Sequence, residues 1–378
     1  MMRDPTSLQS RRRTGLRYTI LLFIVFAVVA GWTGIWKYAA DKAQVTIDGW
    51  RAREAKAGRV YDCGSQSVSG YPFRIEVNCD QASALFRSNE PPVELKTNGL
   101  IVMAQVYQPG LLISEFHGPL SIGEPGKLPD IIADWKVAQS SVRGTPAAPE
   151  RASLVFDGPA VDRMKDGDRQ NLLHAKHIEI HGRIAEGSAA NKPVIEIALQ
   201  LDQASAPMLH PAATQPIDAN MTALLRGMND FSPKPWSARF REIQAAGGRI
   251  DVTKARVQQG DILAIGEGSV SLNDNGRLEG QLRVTVAGLD QFLTAIGAPQ
   301  RVQSSPNMDK LVGALDRLAP GLGGVARQQA GANISLGINL LGEPATLEGK
   351  KAVTLPLRFT DGAVFLGPVP IGNTPALF

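Results

Sequence analysis

From about residue 60 onward, apolar and polar positions alternate with period two, the pattern of strands that have one dry and one wet face. Phe73, Ile75 and Val77 interleave with Arg74, Glu76 and Asn78, and Ile195, Ile197, Leu199 and Leu201 with Glu196, Ala198, Gln200 and Asp202. Leu282, Val284 and Val286 repeat the pattern, as do Ile334, Leu336, Ile338 and Leu340, then Val353, Leu355, Leu357 and Phe359. Asn275-Gly276 and Asp361-Gly362 follow such runs with the turn chemistry of tight hairpins. Helical spacing interrupts the pattern at Ile217–Phe231, where Asp218 is an N-cap and Met221, Leu224, Leu225 and Met228 share a face. Further helices are expected at Trp236–Ala246, capped by Gly247-Gly248, at Leu289–Ile296 and at Met308–Leu318. Gly144–Glu150 reads as a loop and Pro207–Pro216 as a linker.

Before residue 60 the pattern is different. Tyr18 to Trp36 is an uncharged run of 19 residues. As a helix it would measure roughly 28 Å, close to a hydrocarbon core. Tyr18, Trp32 and Trp36 stand near its ends, where aromatic rings favour the interface. No small-x-small cleavage site follows the run, which favours an anchor over a removed signal peptide. The chain therefore reads as α+β: a cytoplasmic basic tail (1–17), a transmembrane helix (18–36) and a membrane-proximal helix (37–58) ending at Gly58. A β-rich exported body of long curved antiparallel sheet follows, in two halves (59–205 and 206–378), the second with helical insertions.

The formal charge of +4 changes this picture only by its location. Six basic residues, Arg3, Arg11, Arg12, Arg13, Arg17 and Lys37, precede residue 38 against Asp4 alone, which leaves 34 basic and 35 acidic residues in the body. A neutral body implies no nucleic-acid partner, and the basic cluster keeps the N-terminus cytoplasmic. The two cysteines, Cys63 and Cys79, both fall in the exported part. They lack the Cys-x-x-Cys spacing of a redox or metal pair and are expected to form a structural disulfide, contributing roughly 3 kcal/mol.

His174, His177, Glu179 and His181 are the densest group of metal-ligating types. On a helix the three histidines would stack. Ile178, Ile180 and Ile184 indicate a strand instead, which sets His177 and His181 roughly 13 Å apart. Only His177 with Glu179 survives as a metal fragment, and a solvated strand face is the simpler reading. Gly321-Leu-Gly323-Gly-Val-Ala326 matches a loose dinucleotide pattern but follows a helix and Pro320 rather than a strand. No nucleophile elbow, Walker loop or His-Glu-x-x-His occurs, so no catalytic residue and no cofactor is expected.

Several segments, taken in order, resemble a bacterial family of membrane-anchored proteins, domain-of-unknown-function family 2125. They are Gly70-Tyr-Pro-Phe-Arg-Ile-Glu-Val-Asn-Cys79, Tyr107-Gln-Pro-Gly110, Gly118-Pro119, the Trp135 region, Ala246-Gly-Gly248 and Leu355-Pro-Leu-Arg-Phe-Thr-Asp-Gly362. The hairpin from Gly266 to Val286 is also similar in style to strands of AsmA-like envelope proteins. The resemblance implies a single-pass inner-membrane protein with a periplasmic body and transfers no activity. The dry faces are then the functional candidates, represented by Phe73, Ile75, Val77, Ile197, Leu199, Val284, Val286, Leu336 and Ile338. They form either a filled core or a groove that takes a lipid or other hydrophobic ligand, without enzymatic chemistry. A periplasmic interaction scaffold, or a hydrolase centred on the histidines, is the alternative.

Overall fold

The computed structural model describes residues 11–145, 148–189, 191–208, 211–232, 234–295, 342–367 and 369–378. The expected helix Met308–Leu318, the Gly321–Ala326 segment and the strand carrying Leu336 and Ile338 lie outside the described residues.

Helix α1, Arg11–Lys56, is 46 residues long, about 69 Å at the usual rise, and runs past residue 37 without a break. It contains a stretch long and apolar enough to cross a membrane. Gly58, at φ +79, follows its last turn, as its role as terminator requires.

Strands β1 (Arg59–Asp62), β2 (Ser65–Ser69), β3 (Arg74–Phe86), β4 (Val93–Gln105) and β5 (Gln108–Gly123) come next. They lead into β6 (Ile131–Asp134), β7 (Val137–Thr145), β8 (Ala148–Asp157), β9 (Ala160–Lys165) and β10 (Asp168–His174). Then come β11 (His177–Ile184), β12 (Ile195–Ala204) and β13 (Ile217–Leu225), followed by α2 (Trp236–Ala245). After it lie β14 (Arg249–Gln259), β15 (Ile262–Leu272), β16 (Leu278–Ala287) and α3 (Leu289–Ala295). The chain ends in β17 (Glu343–Leu347), β18 (Lys350–Thr360), β19 (Ala363–Leu366) and β20 (Val369–Asn373).

All of these strands belong to one antiparallel sheet. Its main run is β2–β3–β4–β5–β7–β8–β11–β12–β13–β14–β15–β16–β18–β19–β20, with the short β6, β9 and β10 branching from the far half of β5. The ladder from β12 to β13 passes directly across the 205–216 connection. The α+β architecture is the one that the alternation pattern implies.

Two local readings are corrected. Ile217–Phe231 is not a helix: its first nine residues are strand β13. Ile217, Ala219, Met221, Ala223 and Leu225 also alternate, and pairing on both sides with β12 and β14 outweighs the helical coincidence of Met221, Leu224, Leu225 and Met228. Asp218 caps no helix; its carboxylate accepts from the Gln203 backbone N–H at 2.8 Å, and that bond holds its pKa down. Gly144–Glu150 is not an open loop either, since Thr145↔Ala148 and Gly144↔Pro149 pair and close a hairpin.

Register fixes what the sheet presents. Directly opposed residues share a face, so one row can be followed from strand to strand. It reads Ile75, Ala104, Leu112, Val142, Ala152, Gly182, Ile197, Ala223, Val252, Gly268, Leu282, Leu357 and Leu366. Thirteen strands contribute and none places a polar side chain in the row. At the usual interstrand spacing the row is about 58 Å long.

Gly268 in this row has φ +144, and a Cβ there would stand 2.4 Å from the Gln281 carbonyl oxygen. Gly268→Ala is therefore expected to cost about 1–3 kcal/mol, seen as a lower thermal midpoint; an unchanged midpoint would contradict this close approach.

Candidate functional site

The dry face is filled at one end and, among the described residues, open along its middle. At the β16/β18 end, α3 packs Leu289 and Leu293 onto Val286, Leu355 and Leu366, all nearly inaccessible. Val286 is thus a core residue and offers no ligand surface. Toward the centre, Leu112 is 42%, Ile180 41% and Val257 40% exposed, although each sits on the apolar side of its strand. Large side chains in a dry row are this exposed only where nothing among the described residues covers them.

The sequence candidates fall into these rows. Ile75 and Ile197 share the row already traced. Val77, Leu199 and Val284 share the next, through Val102, Leu154, Ile180, Met221 and Leu355. That second row has Ser114 and Ser140 where it crosses β5 and β7. Phe73 lies beyond the strand, at the β2–β3 turn, and is 65% exposed.

Helix α1 walls the first end of the groove. Gln66, which opposes Cys79 on the dry side, donates to Gln44 of α1 at 3.0 Å. Val68, opposite Val77, lines a cleft with Trp36, Ala40 and Tyr71. The expected Cys63–Cys79 disulfide is formed, with Cα atoms 5.4 Å apart, and Arg51 of α1 donates to the Cys63 sulfur.

Over β12–β16 the groove deepens into a cavity of about 480 Å³, within the range of small-molecule sites. Its floor is the row Ile195, Leu225, Ile250 and Val270. Its roof is the segment after β13 together with α2, whose Phe240 stacks on Trp236 at 5.9 Å between ring centres. Buried Arg239 clasps the roof: its guanidinium donates to the Asp230 carbonyl at 3.0 Å and to Glu242 Oε1 at 3.0 Å, and also to the Ser232 carbonyl. Lys234 bridges Asp230 and Glu242. Bonds from the Ser232 hydroxyl and then Lys234 hold the Asp230 carboxyl below its ordinary range, and Lys234 does the same for Glu242. Two cations face two carboxylates, so the clasp is electrically closed and makes no claim on an anionic ligand.

The opposite, wet face carries the histidines. Strand β11 is extended as its isoleucines require, yet its polar side chains are not merely solvated. Glu179 bridges both histidines, with Oε1 2.7 Å from His177 Nε2 and Oε2 2.8 Å from His181 Nε2. On β8, Asp157 meets His177 Nδ1 at 2.5 Å and the Ser153 hydroxyl meets His181 Nδ1 at 2.9 Å. Sequence reasoning missed Asp157 and Ser153 because only the β8–β11 register brings them opposite His177 and His181. His174 stands apart, bonded to Ser205 at 2.9 Å.

Each ring nitrogen of His177 and His181 faces its own oxygen rather than a common centre. Among the described residues, no three His, Cys, Asp or Glu side chains converge to hold a metal. Ser153, His181 and Glu179 form a line like a hydrolase triad. Hydrolysis of an acyl bond also needs free donors for the oxyanion. Ser153 lies inside the sheet between Ser141 and His181, where backbone N–H groups are engaged in the ladders.

The cluster has a pH signature. Bonds to Glu179 and then Asp157 raise the His177 pKa above its ordinary 6.5, and bonds from His181 and then His177 lower that of Glu179 below 4.5. The His177 contribution to stability is fully present below 6.5 and fades as pH rises through the raised folded value; the Glu179 contribution is present above 4.5 and fades as pH falls through the lowered one. The difference in melting temperature between wild type and a His177→Gln/Glu179→Gln variant is therefore expected to be greatest between about pH 4.5 and 6.5. A difference flat from pH 4 to 8 would refute it.

A sequence family described as "Uncharacterized protein conserved in bacteria (DUF2125)" matches residues 36–375. The chain belongs to the DUF2125 family. No curated protein matches it. The match covers α1 from Trp36 onward and the sheet, and the AsmA-like resemblance is not shown. The segments that carried the DUF2125 resemblance have structural positions: Gly70–Cys79 is the β2–β3 turn with the first half of β3, Tyr107–Gly110 opens β5, and Ala246–Gly248 ends α2 against β14. Leu355–Gly362 is β18 and its hairpin, in which Asp361 and Gly362 both have positive φ as a tight turn demands. In this DUF2125 chain the recognisable segments thus include both ends of the groove.

Proposed function

We propose that this protein is a single-pass inner-membrane protein whose periplasmic sheet holds or guides lipid acyl chains, or another hydrophobic ligand, in envelope maintenance. The observation that carries the reading is the apolar row unbroken over thirteen strands and, among the described residues, open at its centre. Each methylene laid on such a floor and taken from water gains about 0.8 kcal/mol. A chain moving from bilayer to groove exchanges one apolar surface for another, so it moves at little net cost, which suits guiding better than tight storage. No chemistry is assigned: the backbone N–H groups around Ser153 are engaged in the ladders of β8 with β7 and β11.

Site-specific photo-crosslinking in whole cells tests the reading on the full chain. A photoreactive residue at Leu112 or Ile180, on the dry face, is expected to yield lipid adducts by mass spectrometry, and one at Gln139 or Gln200, on the wet face, is not. Equal labelling of the two faces, or none on either, would refute it.

A further inference from the structure

The end of the sheet nearest α1 carries a second, independent feature. The β2–β3 turn, Gly70 to Arg74, lies against residues 32–36 of α1, the last stretch of its apolar run. Trp32 Nε1 donates to the Pro72 carbonyl at 2.8 Å, and Trp36 Nε1 to the Arg74 carbonyl at 2.8 Å. Thr33 and the Tyr71 hydroxyl bond at 2.7 Å, and Trp36 meets the Tyr71 ring edge-on at 5.5 Å. The neighbouring β4–β5 turn joins this group, since the Val106 N–H donates to the Phe73 carbonyl at 3.0 Å.

Two properties of this end belong to a surface that meets lipid rather than water. Its large exposed apolar side chains are aromatic: Phe73 is 65% and Tyr107 68% exposed, beside half-exposed Tyr71, while exposed Arg74 pairs with Glu76 at 2.9 Å. Four of the five backbone carbonyls from Gly70 to Arg74 are also bonded. The carbonyls of Pro72, Phe73 and Arg74 are bonded as described, and that of Gly70 accepts from the Arg74 N–H at 3.1 Å. Bonded backbone is the condition for entering an apolar phase, and an exposed water-facing turn has no need of it. Gly70, at φ +98, permits the turn, for a Cβ there would lie 2.7 Å from the Arg74 carbonyl oxygen. Trp32 precedes Lys37, where the uncharged run ends, by five residues, or about 7.5 Å of helix. That is the depth of the headgroup–acyl boundary, where aromatic rings partition.

We infer that the two hairpin turns form a membrane seat: Tyr71, Phe73 and Tyr107 insert into the interfacial layer of the bilayer beside Trp32 and Trp36. The seat rests on the reading of α1 as a membrane anchor. It deepens the proposed function, because Ile75, the first residue of the apolar row, lies two positions from Phe73. Seating the turns sets the mouth of the groove at the bilayer, where a lipid leaves the leaflet.

The test uses the full chain in vesicles of phosphatidylethanolamine and phosphatidylglycerol containing lipids spin-labelled near the headgroup or along the acyl chain. A fluorescent amino acid replaces Phe73, Tyr107, Phe26 in the apolar run, or Leu128. Leu128 is 88% exposed and lies past the far end of β5, roughly 50 Å from the turns. Headgroup and shallow-chain labels are expected to remove about half or more of the emission at Phe73 and Tyr107 and to leave Leu128 unchanged, with Phe26 quenched by the deep label. Quenching at Phe26 with none at Phe73 and Tyr107 overturns the seat and leaves the anchor standing. No quenching at Phe26 overturns the anchor, and the seat with it. Equal quenching at Leu128 overturns the seat by showing the whole sheet lying on the membrane.

Discussion

Ile180→Asp is expected to abolish lipid adducts at dry-face positions beyond β11 while the protein still folds. Ile180 stands in the second row of the dry face, between Leu154 of β8 and Leu199 of β12, about midway along the sheet. Because it is already 41% exposed, a carboxylate there keeps its water when the groove is empty, and the folded state loses only part of one apolar contact. An acyl chain crossing the position must strip that water, a penalty of several kcal/mol for an unpaired charge. At 1.4 kcal/mol per tenfold, occupancy past the block falls by a hundredfold or more. Crosslinkers at Leu112, before the block, keep their adducts, and those at Leu199, after it, lose them. Retained adducts at Leu199 with a correctly folded variant would mean that lipid does not travel along the rows.

Arg239→Met is expected to be the most destabilising single change on the roof of the cavity. The side chain is buried, and its loss leaves the Glu242 carboxylate with Lys234 as its cation among the described residues and takes the Arg239 donor from the Asp230 and Ser232 carbonyls. Removing one member of such a group costs about 3 kcal/mol, less than in a fully dry core because Asp230 is half exposed. The segment between β13 and α2 should then loosen, read as faster amide exchange over residues 226–235 than in wild type. A variant with wild-type melting temperature and exchange would show that the clasp is ornamental.

How much of this was legible in the sequence follows from which interactions are local. The apolar run of α1, the disulfide pair and the alternation in β3, β12, β16 and β18 are properties of short segments, and each was readable. Asp361-Gly362 was readable for the same reason, since a tight turn with two positive φ angles restricts its own residue types. The mistaken helix at Ile217–Phe231 shows the limit. Its residues satisfy both periods, and only the ladders with β12 and β14, formed by residues up to 40 positions away, choose between them. The groove itself was invisible for a related reason: alternation shows that a strand has a dry face, and register alone shows that thirteen dry faces align. Asp157, Ser153 and the Arg239 clasp depend on partners brought together by that register or by α2, and no spacing in the sequence announces them.

Native mass spectrometry of the full chain released from membrane-derived, detergent-free nanodiscs reads whether the groove carries lipid. Wild type is expected to carry phospholipid masses that persist after the surrounding bilayer is stripped, and Leu112→Asp/Ile180→Asp, equally folded and disulfide-bonded, to emerge without them. Bare wild-type protein, or the same retained lipid on both proteins, would contradict it.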